Sequence, residues 1–420
     1  FEVKGTDQNL IKIRIIGGQN NDTYTVENGK KIIIYDYQTK KNTFKTTNTA
    51  VKLTDNYETN IYDYKKFKSN QNILTPLIGF NPDDGIKLGV SNIFTTYGFE
   101  RKPFTSQHSF SGAYYFATNG FEFKYSSEFA NMLGNLNLGI NATFTSPNFA
   151  TNYFGIGNNS ANPDAKGLQE EEFNRVRISK IIAGSYLKWR SDLDAELKLG
   201  INYEAMKVEN TLGRFLNSEL AADNPVFNRQ EFINTEASYH FENTDNPAFS
   251  TMGMETELVA GYTSSLNKMG DFGYVIPSIS FQHKLVSNGQ LVLATKLKSH
   301  FTFGNSYQFY QAASIGGNDG LRGYRNQRFT SKNSFYHSSD IRLNLKEFKT
   351  NLIPLNIGIF GGFDYGNVWG EQNSTFKNTP FNTSVGGGIF FNAANLMSGN
   401  ISLFNSNDGL RIALTFGFAF

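Results

Sequence analysis

Three arginines at intervals of three, Arg322, Arg325 and Arg328, sit in the segment 316-GGNDGLRGYRNQRF-329. A guanidinium is a planar fork of donors that fits a carboxylate bidentately, and the four glycines of the segment allow the chain to fold tightly around such forks. Carboxylates follow downstream, Asp340 in 338-SSDIRLNL-345 and Asp364 in 361-GGFDYGNVW-369. This set suits ion pairing and positioning rather than bond breaking. His108, His240, His283, His300 and His337 fall on expected strands without metal-ligand spacing, and neither His-Glu-x-x-His nor Gly-x-Ser-x-Gly occurs. Gly155-Ile156-Gly157 and Gly386-Gly387-Gly388 precede no helix, so neither reads as a nucleotide loop. No catalytic residue, metal site or cofactor is expected from this chain.

The elements that must carry these groups are announced by the end of the sequence. Ile412, Leu414, Phe416, Phe418 and Phe420 alternate with Arg411, Ala413, Thr415, Gly417 and Ala419. A flat apolar strand edge invites aggregation in water, whereas a strand closing a barrel in lipid has no free edge. Composition agrees: 18% of residues are charged and 15% are aromatic, and no run approaches the 18 apolar residues of a spanning helix. The negative mean hydropathy of −0.39 also fits membrane strands that give half their side chains to a wet bore. A net charge of +2 gives no case for nucleic acid as a partner. The absence of cysteine is compatible with export and diagnoses nothing by itself. Residue 1 is Phe and no signal peptide is seen, which reads as a mature or trimmed chain that began further upstream.

From about residue 73 the pattern repeats as ten alternating residues and a break. Strands are expected near 73–81, 86–97, 106–118, 121–132, 135–146, 175–190, 193–208, 230–243, 252–265, 272–287, 290–304, 333–346, 354–369, 382–394, 399–406 and 410–420, sixteen in all. Leu193, Leu197, Leu199 and Ile201 are assigned to lipid, and Glu196, Lys198 and Glu204 to the bore. The long connections 147–174, 209–229, 305–332 and 370–381 all fall on one side of the count, the asymmetry of outer-membrane barrels. By the same parity Asp340, Arg342 and Asp364 point inward, so an arginine from 305–332 folded into the bore would meet a carboxylate on the wall. The fold class is therefore an all-β chain: a 16-stranded antiparallel transmembrane β-barrel over 73–420, with a small N-terminal periplasmic β module over 1–72. A large soluble sandwich or propeller is the competing architecture, but neither needs charge on one face of nearly every strand.

The first 72 residues contain β-rich runs, Ile11 to Ile16 and Ile32 to Tyr35, and no amphipathic helix period. The piece 17-GGQNNDTYTV-26 resembles the nonapeptide of calcium-binding β-rolls in one imperfect copy, with Asn20 where Gly is usual. A glycine turn between two strands is the simpler reading.

The run Leu321-Arg322-Gly323-Tyr324, the Asp-x-Arg of Asp340 and Arg342, the Phe-Asp-x-Gly-x-x-Trp beginning at Phe363, and the aromatic terminus resemble the outer-membrane assembly and secretion barrels of the BamA/TamA superfamily. The segment 153-YFGIGNNS-160 resembles a run in related bacterial surface-antigen barrels. The resemblance covers about 73–420 and implies a bacterial outer-membrane location, with the loop between strands eleven and twelve folded into the bore. Carried onto this sequence, Arg322, Gly323 and Tyr324, with Arg325 beside them, match the loop motif, and Asp364 and Gly366 match strand thirteen. Asp340 stands where an acidic residue is usual, and the helix-containing POTRA modules of such barrels are not found in 1–72.

The resemblance further implies insertion or translocation of polypeptides through a weak lateral seam between the first and last strands. Pro76, which cannot donate a ladder bond, Gly79 and Gly417 favour such a seam, and Phe418 and Phe420 supply the C-terminal signal. Expected partners are outer-membrane lipid, unfolded outer-membrane or secreted polypeptides, and periplasmic or surface accessory proteins. The alternative is a plugged barrel that anchors a fused or partner domain, such as an upstream phosphoesterase or lipase. An open diffusion porin is the third class, disfavoured by a loop that would obstruct the channel.

Overall fold

A computed structural model describes residues 2–4, 11–61, 68–99, 103–162, 172–191, 193–246, 250–268, 270–345, 348–349, 354–370, 380–393 and 397–418. Contacts divide the chain into two compact units: residues 1–73, 93–108 and 127–138, and residues 74–92, 109–126 and 139–420.

The N-terminal strands form a small separate module in which every strand pair is parallel. Glu2–Lys4, Thr23–Glu27 and Thr43–Thr46 make one sheet, and Ile13–Ile16, Ile32–Asp36 and Ala50–Leu53 make the other. The chain thus crosses from one sheet to the other and back, coil upon coil. Alternation places Tyr24, Val26, Ile32 and Ile34 in the interior, with Ile15 and Phe44 packed against them. The Tyr24 hydroxyl donates to the buried Asp36 carboxylate at 2.5 Å. The expected glycine turn is present, with Gly18 at φ +93° between the Ile13–Ile16 and Thr23–Glu27 strands. The turns of adjacent coils are tied together by asparagine: Asp22 N donates to Asn42 Oδ1 at 2.8 Å and Lys41 N to Asn21 Oδ1 at 3.1 Å.

The rest of the fold is a closed antiparallel barrel of sixteen full strands. In chain order they are Gln71–Asn81 (β1), Gly85–Thr96 (β2), Ser106–Tyr115 (β3), Gly120–Leu133 (β4), Leu136–Thr145 (β5), Arg175–Arg190 (β6), Ala195–Val208 (β7) and Gln230–Thr244 (β8). There follow Gly253–Ser265 (β9), Phe272–Lys284 (β10), Leu291–Phe303 (β11), Asn333–Asn344 (β12), Pro354–Trp369 (β13), Asn382–Ala393 (β14), Met397–Ser406 (β15) and Gly409–Phe418 (β16). Two short pieces, Ala150–Asn152 and Phe348–Lys349, extend the ladder beside β6 and β13.

Alternation sets the two faces. Leu197, Leu199 and Ile201 of β7 are exposed on the outside, as are Leu74, Ile78 and Phe80 of β1 and Ile359 and Phe363 of β13. Such an apolar exterior is stable only in lipid. The bore carries charge that is paired along the wall, for example Arg190 Nε to Glu196 at 2.9 Å. Leu193 was expected at the start of strand seven; it lies instead in the preceding turn, where Asp194 adopts φ +58°. The connection 209–229 is not bare loop: it holds the short helix Phe215–Glu219 and the 3-10 turn Pro225–Phe227, whose Leu216, Val226 and Phe227 bury against Val176, Ile178, Met206 and Val208.

Candidate functional site

Within the β11–β12 connection, Ala313–Ile315 pairs antiparallel with Phe329–Ser331, forming a hairpin whose tip is the glycine- and arginine-rich segment. Backbone bonds close the tip, with Leu321 N donating to Gly316 O at 2.9 Å and Gly317 N to Arg325 O at 3.1 Å. Ile315, Leu321, Tyr324 and Phe329 pack with Tyr336 of β12 and Val368 of β13, a hydrophobic cluster that fixes the hairpin to the inner wall. Tyr324 is buried in it, edge-to-face with Phe329.

Arg322 sits at the centre of the tip. Its Nη2 lies 2.6 Å and its Nε 3.1 Å from Asp364 Oδ1, its backbone N–H donates to Asp364 Oδ2 at 3.0 Å, and its Nη1 is 2.7 Å from Asp340 Oδ1. Asp364 is 0% exposed and also accepts from Ser338 Oγ at 2.6 Å and Ser384 Oγ at 2.8 Å. The guanidinium lies 4.1 Å from the ring centroid of Phe404 on β15, a cation–π contact. Arg342 turns to Asp340 at 3.4 Å. The carboxylate thus takes donors from three side chains and a backbone N–H, and removing its charged partner there would cost several kcal/mol (about 3–5).

Two glycines permit this approach. A Cβ at Gly323 would lie 2.7 Å from Ser384 Cβ and 3.0 Å from Ser406 Cβ, so tip and wall touch there, backbone against side chain. A Cβ at Gly366 would meet the Phe335 carbonyl at 2.7 Å and Ile315 of the hairpin at 3.1 Å.

The other two arginines reach partners that the sequence did not single out. Arg325 Nε donates to Asp83 Oδ1 at 2.6 Å, and Asn326 N to Asp83 Oδ2 at 2.9 Å. Asp83 belongs to the tight β1–β2 turn, where Asn81 Oδ1 accepts from the N–H groups of Asp83 and Asp84 at 2.9 and 3.0 Å. Burial pushes the adjacent Asp84 carboxyl above its usual range, opposed by the Asn81 side-chain hydrogen bond. Arg328 Nε donates at 2.5 Å to Asp408 in the β15–β16 turn. The β5–β6 connection completes the assembly: Asn152 Nδ2 donates to Asp83 at 2.7 Å, Gly157 N to Thr330 O at 2.8 Å, and Arg328 to Ser160 Oγ at 2.8 Å. Phe154, in the 153–160 run, is buried between the guanidiniums of Arg325 and Arg328 at 5.5 and 4.9 Å. Arg411, on the inner face of β16, donates to Asn326 Oδ1 at 3.1 Å and lies 3.8 Å from Asp83.

The ladder between β16 and β1 is short. Leu414 opposes Phe80, Thr415 opposes Gly79 and Phe416 opposes Ile78, three positions among the described residues. The neighbouring β15–β16 ladder runs through ten. Pro76 lies on the exposed face of β1, below these three pairs, and Gly417 lies in β16. The backbone of Phe418 ends β16, and Phe420 lies outside the described residues.

Comparison with known proteins bears on this architecture. A family model described as haemolysin secretion/activation protein ShlB/FhaC/HecB matches residues 217–391. BamA from Haemophilus ducreyi lacking POTRA domains 1–3 superposes with a TM-score of 0.59 at 15% identity, covering 83% of this chain and 71% of that one. The chain shares the closed barrel fold of that protein. CdiB from Escherichia coli matches with a TM-score of 0.55 at 12% identity over 83% of this chain. CdiB from Acinetobacter baumannii does so with 0.50 at 9% identity over the same 83%. The chain spans 63% and 59% of the two CdiB chains, less than two thirds of each. No curated protein matches the sequence.

Proposed function

We propose that this barrel translocates or inserts polypeptides through a lateral seam between β1 and β16, while the Arg322–Asp364 pair braces the wall at β12 and β13. The observation that carries this reading is the three-position ladder between β16 and β1. Each missing pair removes backbone hydrogen bonds worth about 0.5–1.5 kcal/mol net, so this joint opens at lower cost than any joint with a full ladder. Opened, it exposes two strand edges, and an exposed edge can template an incoming extended chain. Secretion is the activity written in the name of the matching ShlB/FhaC/HecB family.

The absence of cysteine makes a direct test available. Gly79→Cys with Thr415→Cys places two thiols at directly opposed ladder positions, where Cα separations of about 4.5–5.5 Å suit a disulfide. Oxidation should abolish secretion or insertion, and reduction should restore it. If the locked barrel remains fully active, the seam does not gate.

The second reading, a plugged barrel that anchors another domain, is favoured by how thoroughly the hairpin is bonded to the bore: three arginines, each with a carboxylate partner. It predicts indifference to the lock.

A further inference from the structure

The seam is weak in its ladder, yet at one end of the barrel both of its sides are tied to the same hairpin. The β1–β2 turn and the β15–β16 turn flank the joint, and they offer the hairpin Asp83 and Asp408. Arg325 takes the first at 2.6 Å and Arg328 takes the second at 2.5 Å. The two guanidiniums share the Phe154 ring, so they are held as a unit rather than as separate surface pairs. The backbone N–H of Asn326 donates to Asp83 and its side chain accepts from Arg411 of β16, which ties both strands to one residue of the tip. All of these groups are largely out of solvent: Asp83 is 4% exposed, Arg328 5% and Arg411 6%.

We infer that Arg325, Asn326 and Arg328 form a clasp across the seam. The hairpin, not the β1–β16 ladder, holds that end of the joint shut, and the joint opens when the hairpin lets go of Asp83 or Asp408. The inference deepens the translocation reading above and rests on it for its role, but the clasp itself is a mechanical statement with its own readout. The three ladder pairs leave little backbone energy to keep β1 against β16. Buried charge-assisted bonds on both flanks are each worth more than an exposed pair and act on the turns that terminate the two strands. Because one hairpin supplies both halves, losing either half frees one strand while the other stays tethered. Clasp and brace also share a backbone, since Arg322 on Asp364 and Arg325 on Asp83 lie one short turn apart.

The test is amide hydrogen exchange on the full chain reconstituted in liposomes, comparing the natural protein with Asp83→Asn, Asp408→Asn and Arg328→Gln. The asparagine variants keep shape and remove the charge, and Arg328→Gln attacks from the hairpin side should a turn variant fail to assemble. Exchange in β1 and β16 should rise about tenfold in each variant, with β8, β9 and β10 unchanged. Unchanged exchange at β1 and β16 overturns the clasp. So does an equal rise throughout the barrel, which would make these pairs contributors to general stability only. Faster exchange at the seam together with full activity of the Gly79–Thr415 lock would leave the clasp standing and remove the translocation reading.

Discussion

At the scale of single residues, Arg322 is the group whose replacement should cost most. Arg322→Ala strands Asp364, which is 0% exposed, with its charge facing only two serine hydroxyls and a backbone N–H. The expected loss is about 3–5 kcal/mol, read as a lower temperature of heat-modifiable migration. Arg322→Lys keeps the charge but cannot bridge Asp340 and Asp364 with one planar fork, so it should fall between the two. Gly323→Ala forces a methyl to within 2.7 Å of Ser384 Cβ and 3.0 Å of Ser406 Cβ. A cost of about 1–3 kcal/mol follows, and a full-stability Gly323→Ala would mean that tip and wall do not meet as described. The partners Asp340 and Asp364 were legible because strand parity alone decides which way a side chain points. Asp83 and Asp408 were not. Each sits in an Asn/Asp/Gly-rich turn, Asn81-Pro82-Asp83-Asp84-Gly85 and Asn407-Asp408-Gly409, where an aspartate is what any tight turn favours. Nothing local separates a turn aspartate from one that also receives a distant arginine, 242 positions away for Asp83 and 80 for Asp408.

At the scale of elements, strand boundaries followed the alternation closely because membrane strands carry the full amphipathic burden in every segment. Errors gathered at the turns, as at Leu193, where an apolar residue in a turn extends the apparent period. The hairpin Ala313–Ile315 with Phe329–Ser331 escaped notice because its strands are three residues each, too short to show a period of two. It is nevertheless the element that packs against Tyr336 of β12 and Val368 of β13. Replacing residues 316–328 with a short Gly/Ser linker should raise single-channel conductance severalfold, since it removes both the plug and the charges that fix it. Conductance unchanged by that replacement would place the obstruction elsewhere. In the N-terminal module the β character was legible, but the parallel coil was not. Its period exceeds the window of local alternation, and the asparagine ties between Asn21, Asp22, Lys41 and Asn42 become visible only once two coils are stacked.

At the scale of the whole molecule, barrel closure was written in composition and in the alternation of the last strand, whereas the strength of each joint was not. Ladder length between β16 and β1 depends on where two distant strands meet in register, and no local pattern encodes that. The position of this joint also bears on biogenesis. Every other pair of neighbouring barrel strands is separated by one connection, but Ile78 and Phe416 stand at opposite ends of the barrel sequence. The entropy of closing so large a loop delays this contact until the hairpins have zipped side by side. The newborn sheet is therefore an open curl whose two lips join at the final step, along a ladder of three positions among the described residues.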